Sequence, residues 1–480
     1  MYKYKRTVFF LCAMVITAAV NSCITQKYQA PALGLPAAFR ADSTPAEVTG
    51  NTRDSGIAVI SYHAFFTDPV LLQLIDSGIT RNYNLQVAIK QIEYAAQAFK
   101  QAKWNNVPTV SLTAGQASIS RPSDNSLNGL TASQFLGQSY IADYTTGLNI
   151  SWEADIWGKI KSRKDAALAD YLGSQEAAKA VQTRLVSDIA QGYYNLLMLD
   201  TQLEVTRKSI ALYDSSIAVT TMLRDAGNVT TLAIQQLEAS REQAAAMLPQ
   251  LEQQLVAQEN ALSVLTGKNP GKIGRTGGIS SLSLHEKLSV GIPANMVSRR
   301  PDIRQSEMTL MQAHAMVNVS RASMYPSLTI TGQGGLNAFD AGNWFKIPGS
   351  LFATGAGSLV QPILQNKRLK TQYEQSKITR EQAELQFKQS VLAALGEVSN
   401  SLSQIVKLKE QEQHTSRQVL VLEQAVKNSS LLYDTGDASY LEVLTAQNNK
   451  LQADLSLAGL QRQRLSAEVI LYQALGGGWQ

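Results

Sequence analysis

The side chains able to do chemistry in this sequence are few, and their spacing argues against catalysis. His63, His285, His314 and His414 are scattered and show no spacing that would join two imidazoles on one metal. Arg299, Arg300 and Asp302 invite a phosphate-binding or acid–base reading. The flanking Pro293 and Pro301 point instead to a helix start, with proline in the first turn and an early acid at the positive end of the dipole. Structural charge pairing is the expected role. Gly267-Lys268-Asn269-Pro270-Gly271-Lys272 is superficially like a phosphate loop. It lacks the spacing and the closing Lys-Ser/Thr, so a solvated turn is expected. Gly332-Gln333-Gly334-Gly335 reads as a strand end and loop. With no nucleophile motif and no paired carboxylates, no catalytic residue, metal or cofactor is expected, and the chain is not read as an enzyme.

The elements that carry these residues are better specified. Hydrophobic residues make up 44% of the 480-residue chain and aromatics 7%, with abundant Ala, Gln, Leu and Ser. That mix suits long helices packed through small side chains. The formal charge is +5, and Lys3, Lys5 and Arg6 supply three of these charges ahead of Cys23, leaving +2 (5 − 3). No nucleic-acid partner is expected. Tyr2 to Arg6 form a basic start and Thr7 to Val20 an apolar run too short to span a bilayer, as in a secretory signal. Val20-Asn21-Ser22-Cys23 resembles a bacterial lipobox, Asn21 being its imperfect member. The alternative is an ordinary signal cut nearby, with Cys23 incidental. Cys12 is lost with the signal, so the mature chain keeps one cysteine at its start, which suits lipidation better than disulfide pairing. Ile24, rather than an acid, follows it and points to the outer membrane. No other run approaches the ~20 apolar residues of a membrane helix, so any membrane span must be made by strands.

The chain is also written twice. Gly147 corresponds to Gly355 at an offset of 208, as Gly158-Lys159 does to Asn366-Lys367. Gly227 and Gly436, then Gly267 and Gly476, repeat at 209, and Val107-Pro108 matches Tyr325-Pro326 at 218. Each half reads helix, strand pair, very long helix, tight turn, return helix. The first helix covers Leu85 to Trp104 and stops before Pro108. Val110, Leu112 and Ala114 alternate with polar residues, as do Tyr144, Thr146, Leu148, Ile150 and Trp152, across a loop from Ser123 to Gly137. Such alternation marks strands with two differently solvated faces. The second half offers strands at Ser327 to Thr331 and near Phe352 to Val360. Gly158 to Asp225 forms one helix of about 100 Å. Its return helix carries Ile234, Leu237, Ala244, Leu248, Leu251, Leu255, Leu262 and Leu265 at 3/4 spacing, a coiled-coil seam interrupted by Arg241 and Gln258 and kinked or broken at Pro249. Four strands leave open edges, which hydrocarbon does not tolerate, so several chains must pool strands into one barrel. The resulting division is a lipoprotein signal at 1–22, an anchored segment at 23–64, a first repeat at 65–270, an inter-repeat segment at 271–298 and a second repeat at 299–480.

Several motifs follow this order. Cys23 precedes Tyr28 and Pro31, and Phe65-Phe66-Thr67-Asp68-Pro69 leads to Leu72 and Ile75. Trp152-Glu153-Ala154-Asp155-Ile156-Trp157-Gly158 ends the second strand. Gly291-Ile292-Pro293 and Arg299-Arg300-Pro301-Asp302-Ile303 stand at the centre. Gly436 leads to Tyr440-Leu441-Glu442-Val443-Leu444 and Ala446-Gln447. Together they resemble the TolC-like outer-membrane factors over nearly the whole mature chain, in particular the lipoprotein branch serving resistance-nodulation-division pumps. The resemblance implies a mainly α protein with a membrane β-barrel. Three chains, each giving four strands, would form a twelve-stranded β-barrel continuous with a twelve-helix periplasmic α-barrel. It implies a passive efflux duct in the outer membrane, lipid-anchored and reaching into the periplasm. Its implied partners are two further copies, a periplasmic adaptor (membrane fusion) protein, an inner-membrane resistance-nodulation-division transporter and outer-membrane lipid.

Residue roles carry over by position. Trp152, Asp155, Gly158, Arg299, Arg300, Pro301 and Asp302 fall on structural motifs. Asp225, Gly227, Asp434, Gly436 and Asp437 fall on the periplasmic tip, where the glycines shape the turns and the group is read by the adaptor. Leu441 matches an apolar constriction and Glu442 an acidic ring of the periplasmic gate. Thr445 departs from the Asp many relatives carry. For Glu442 a solvated surface position is the competing reading. Two rivals to the efflux reading are a duct for protein secretion and a non-channel periplasmic coiled-coil lipoprotein.

Overall fold

The computed structural model describes residues 25–36, 39, 60–282 and 293–480. The signal 1–22, the lipidation candidate Cys23, His285 and Gly291-Ile292 lie outside these residues. The chain forms α1 (Tyr62–Phe65), α2 (Pro69–Arg81), α3 (Tyr83–Trp104), β1 (Thr109–Ser120), α4 (Leu127–Phe135), β2 (Ile141–Ala154), α5 (Lys159–Asp225) and α6 (Thr231–Leu265). It continues with α7 (Pro293–Arg299), α8 (Pro301–Ala322), β3 (Ser327–Ala338), β4 (Leu351–Val360), α9 (Arg368–Thr435) and α10 (Tyr440–Ala474). Among the described residues, no helix is long and apolar enough to cross a membrane.

The duplication is carried by whole elements. Helices α3 and α8 have the same length at an offset of 218 (301 − 83), as do strands β1 and β3 (327 − 109). Helices α6 and α10 match at 209 (440 − 231). The glycines that marked the repeat share one cause. Gly227, Gly267, Gly436 and Gly476 all have positive φ, between 65° and 94°. After Gly227, Asn228 N donates to Leu223 O and Gly227 N to Arg224 O, the Schellman pattern that uses up the last helical carbonyls; Gly436-Asp437 repeats it on Leu432 and Tyr433.

Two compact units divide the chain. The first takes Met1–Pro31, Glu93–Leu172 and Met308–Leu385; the second takes Ala32–Ile92, Gly173–Glu307 and Gln386–Gln480. The first unit holds the antiparallel sheet, in the order β1-β2-β3-β4 with β1 and β4 as free edges. Register puts Val110 opposite Ile150 and Leu112 opposite Leu148, and on the same face Trp152 meets Ile330 and Leu328 meets Leu359. The other face carries Thr109, Ser111, Asn149, Ser151, Thr329, Gln333 and Ser358. A shift between Thr113 and Gln116 turns the later odd residues of β1, including Ile119, onto the apolar face. Val110, Leu112, Leu148, Ile150, Ile330 and Leu359 stay exposed. A sheet apolar on one face and polar on the other fits lipid on one side and water on the other.

Two expectations about this unit are corrected. Gly332-Gln333-Gly334-Gly335 is not a strand end but the middle of β3, paired to both neighbours. The glycines are there because the backbones run close: a Cβ on Gly335 would lie 2.0 Å from Thr146 O, and one on Gly147 2.6 Å from Gly334 O. The segment Ser123 to Gly137 is not all loop. It contains α4, whose N-cap Ser126 accepts a bond from Gly129 N at 3.1 Å.

The second unit is helical. Asp68 caps α2, its Oδ1 accepting from Val70 N at 2.8 Å and Leu71 N at 3.2 Å, with Pro69 at the first helical position. Leu71, Leu74, Ile75 and Gly78 then face inward. The seam of α6 buries Ile234, Leu237, Ala244, Leu251 and Leu262. Leu237 and Ala244 pack with Tyr213 of α5 and Leu444 and Leu451 of α10. The interruptions are satisfied by polar partners: Arg241 donates to Asp214 and Glu242, and Gln258 accepts from Asn195. Pro249 does not break the helix, which runs unbroken from Thr231 to Leu265. Pro249 is exposed, and the flanking turns keep their bonds, so losing a single amide donor is tolerated.

Candidate functional site

At the turn between α9 and α10, Leu441, Glu442 and Thr445 are exposed while Val443 and Leu444 point into the core. Glu442 is committed locally. Ser439 and Glu442 form a capping box, Ser439 N donating to Glu442 Oε2 at 2.8 Å. Its second oxygen is left to face solvent. Thr445 Oγ1 donates to Leu441 O at 2.7 Å and so caps nothing beyond its own helix. On the two turns, Asp225 pairs with Arg224 at 2.5 Å and Asp437 accepts from Thr435 at 2.9 Å. Neither Gly227 nor Gly436 has anything within 4 Å of the position a Cβ would take, so φ alone selects glycine there.

Neutral hydrogen bonds tie these turns together. Tyr213 donates to Asn448 at 2.7 Å, Gln447 to Ser216 at 2.9 Å and Tyr440 to Gln236 at 2.9 Å, while the Thr220 and Tyr433 hydroxyls meet, buried, at 3.1 Å. Burial pushes the Tyr213 phenol up to about 12, so it remains a donor at every physiological pH. Each such bond is worth about 1 kcal/mol. Together they hold two hairpins in one arrangement through neutral bonds that cost little to separate.

Sequence reasoning missed these links, because their partners are more than 200 positions apart. It also missed two anchors of the inter-repeat segment. Buried Asp68 accepts from Tyr193 at 2.9 Å and Thr276 at 3.3 Å; burial and the adjacent carboxylate raise the Tyr193 pKa well above its usual value. Arg275 grips Asp200 through two nitrogens, at 2.8 and 3.1 Å, and reaches buried Glu259 at 2.6 Å. Burial works against the Arg275 charge, but these carboxylates outweigh it and raise its pKa.

The central motif is a charge cluster. Arg300 is buried and donates to Asp302, to Glu397 at 2.7 Å and to the Ala474 carbonyl at 3.0 Å. Burial opposes the ionised forms of Arg300 and Asp302, but their mutual bonds win, lifting the arginine and lowering the carboxyl. Pro301 opens α8, and the Arg299 backbone lies against Gly476, whose Cβ would fall 3.2 Å from Arg299 C.

At the other end of α5, Trp152 Nε1 donates to Asn106 O at 3.0 Å. Asp155 accepts from Ile160 N and Lys161 N at 2.9 and 2.8 Å, capping the helix. Gly158 has φ +72° and backs onto Thr25. The chain following Cys23 is held there too: Asn318 brackets Gln26, accepting from its N–H at 3.1 Å and donating to its carbonyl at 2.9 Å, and His314 lies 2.8 Å from the same oxygen. Among the described residues no group of three or more His, Cys, Asp or Glu could hold a metal ion.

The family profile described as "Outer membrane efflux protein" matches residues 74–268 and again 292–477. The cation efflux system protein CusC of Escherichia coli O6:H1 is 27% identical over 469 residues, covering 97% of this chain and 98% of that protein. The toluene efflux pump outer membrane protein TtgC of Pseudomonas putida is 29% identical over 480 residues, covering 98% and 96%. The crystal structure of a membrane protein from Pseudomonas aeruginosa superposes with a TM-score of 0.85 at 26% identity, covering 95% of this chain and 98% of the other.

Proposed function

The chain belongs to the outer membrane efflux protein family, and on that premise we propose that three copies form the exit duct of a tripartite pump, fed by an inner-membrane transporter of the resistance-nodulation-division type through a periplasmic adaptor. The observation that carries this reading is the sheet: one face apolar and exposed, the other polar, and both edges unpaired in a single chain. Three such sheets joined edge to edge would satisfy every backbone group in hydrocarbon and enclose water. Cys23, acylated, would fasten each copy to the membrane.

The duct performs no chemistry. Asp225, Gly227, Asp434, Gly436 and Asp437 form the tip that the adaptor's hairpin reads. Leu441 and Glu442 narrow the lumen just inside it, with Thr445 one turn further on. Opening separates the two hairpins by giving up neutral hydrogen bonds such as Thr220–Tyr433, a cost of a few bonds at about 1 kcal/mol each. Relatives are named for cations and for toluene. A shared passive lining carries either, so the cargo is chosen by the transporter.

Negative-stain electron microscopy of protein extracted from outer membranes in mild detergent tests the assembly. A threefold particle with a detergent belt at one end and a rod of about 100 Å is expected. A monomeric bundle without a belt would overturn the duct and leave a coiled-coil lipoprotein.

A further inference from the structure

Strand register brings four chain junctions to one end of the sheet: Thr109 lies opposite Ser151, Ala154 opposite Leu328, and Leu328 opposite Leu359. Both long helices start from this end, α5 at Lys159 and α9 at Arg368. Their approaches and opening turns carry Lys161, Arg163 and Lys164, then Lys367, Arg368 and Lys370, with no acid in either first turn. A helix start favours anions, so these cations are placed against the local dipole and do not serve the helices. Lys161, Arg163, Lys367 and Lys370 are exposed and have no ion-pair partner among the described residues. Beside them in the chain, between β4 and α9, Ile363 is 86% and Leu364 93% exposed. The opposite end has no such excess of cations, with Arg121 and Lys346 against Asp124, Asp143 and Asp340. Thr25, two residues beyond Cys23, sits against Gly158 at the cationic end, so an acyl anchor on that cysteine would enter the membrane on this side.

We propose that this end of the sheet is a collar for anionic phospholipid: Lys161, Arg163, Lys367 and Lys370 bind headgroup phosphates of the periplasmic leaflet, and Ile363 and Leu364 sit among the adjoining acyl chains. The inference rests on the duct reading, which fixes the helix end of the sheet as the periplasmic one. Lysine and arginine on flexible stems suit phosphate recognition, and the apolar pair suits the depth just above it.

The full-length trimer, exchanged into nanodiscs of equimolar phosphatidylglycerol and phosphatidylcholine, tests this by native mass spectrometry of the lipids that stay bound. Phosphatidylglycerol should be enriched. The variant K161Q/R163Q/K367Q/K370Q should lose that enrichment by up to about fivefold for each cation removed. Both K161R/K367R/K370R and R121Q/K346Q should keep it. Equal retention of the two lipids by the wild type, or an unchanged preference in the Gln variant, overturns the collar. So does loss of the bound lipid on adding inorganic phosphate alone, which would mark a site for free anion. If the Gln variant does not assemble, salt decides: enrichment that persists unchanged at ~1 M salt overturns the collar, since screening should remove a headgroup attraction. Planar-bilayer conductance separates the two layers of inference. A conducting wild type without lipid preference removes only the collar, whereas one that neither inserts nor conducts removes the duct reading as well.

Discussion

At the scale of single residues, Glu442 can be asked which of its two tasks matters. Its carboxylate closes a capping box with Ser439 and is also exposed beside Leu441. Glutamine keeps the carbonyl acceptor but removes the charge; alanine removes both. E442Q should therefore leave the thermal midpoint in place while lowering the cation selectivity read from reversal potentials in planar bilayers. E442A should lower both the thermal midpoint and the selectivity, at a stability cost of about 1 kcal/mol. If E442Q leaves selectivity unchanged, Glu442 is a cap and nothing more. Arg300 is a different case, buried and holding two carboxylates and a helix-end carbonyl. R300A strands those groups. Because both carboxylates are about half exposed, the loss should stay near the low end for a buried pair, about 3 kcal/mol. The pH dependence has a definite sign. Asp302 is lowered in the folded chain, so its contribution is complete above the ordinary carboxylate value of about 3.9 and is lost as pH falls through the folded one. Thermal melts between neutral and acid pH should show that loss in the wild type and a flatter profile in R300A.

Elements reveal what could be read from sequence and what could not. The four glycine turns were legible because positive φ selects glycine from a single position. The long helices were legible because their spacing repeats over many turns. Strand β3 was cut short because its glycines look like loop, when they mark where neighbouring backbones nearly touch. This is measurable. G335A drives a Cβ to 2.0 Å from Thr146 O and should block assembly of the sheet, whereas G355A meets nothing within 4 Å and should assemble normally, as judged by heat-modifiable trimer on gels. Helix α4 escaped because nine residues of weak amphipathicity look like loop until Ser126 is seen to cap them. The Asp68 and Arg275 anchors were invisible for another reason: each joins residues brought together only by the complete fold, and no local pattern records such a pairing. Glu259 and Asp200 carry no local signal of their own, and their role shows only once Arg275 lies between them.

For the whole molecule the question is what covers the apolar surface that one chain leaves open. On α9, Ile378, Leu385 and Leu392 are 54%, 66% and 64% exposed and recur every seven residues. A heptad drifts only about 20° round a straight helix, so they form one continuous stripe. Each such side chain gains roughly 1.5–3 kcal/mol when covered. A monomer would leave all three in water, in addition to the unpaired edges of β1 and β4. In a closed ring of copies, the edge of β4 in one protomer pairs with the edge of β1 in the next, a head-to-tail contact that ends only when the rotation closes. Helix α9 starts directly after β4 and so runs on from that seam. The stripe should therefore be covered by the neighbouring copy, and L385D should disperse the assembly. Mass photometry in detergent would then find trimer for the wild type and for the control Q411E, but mainly monomer for L385D. A trimeric L385D would mean that strand pairing alone holds the ring, and that the stripe meets some other partner.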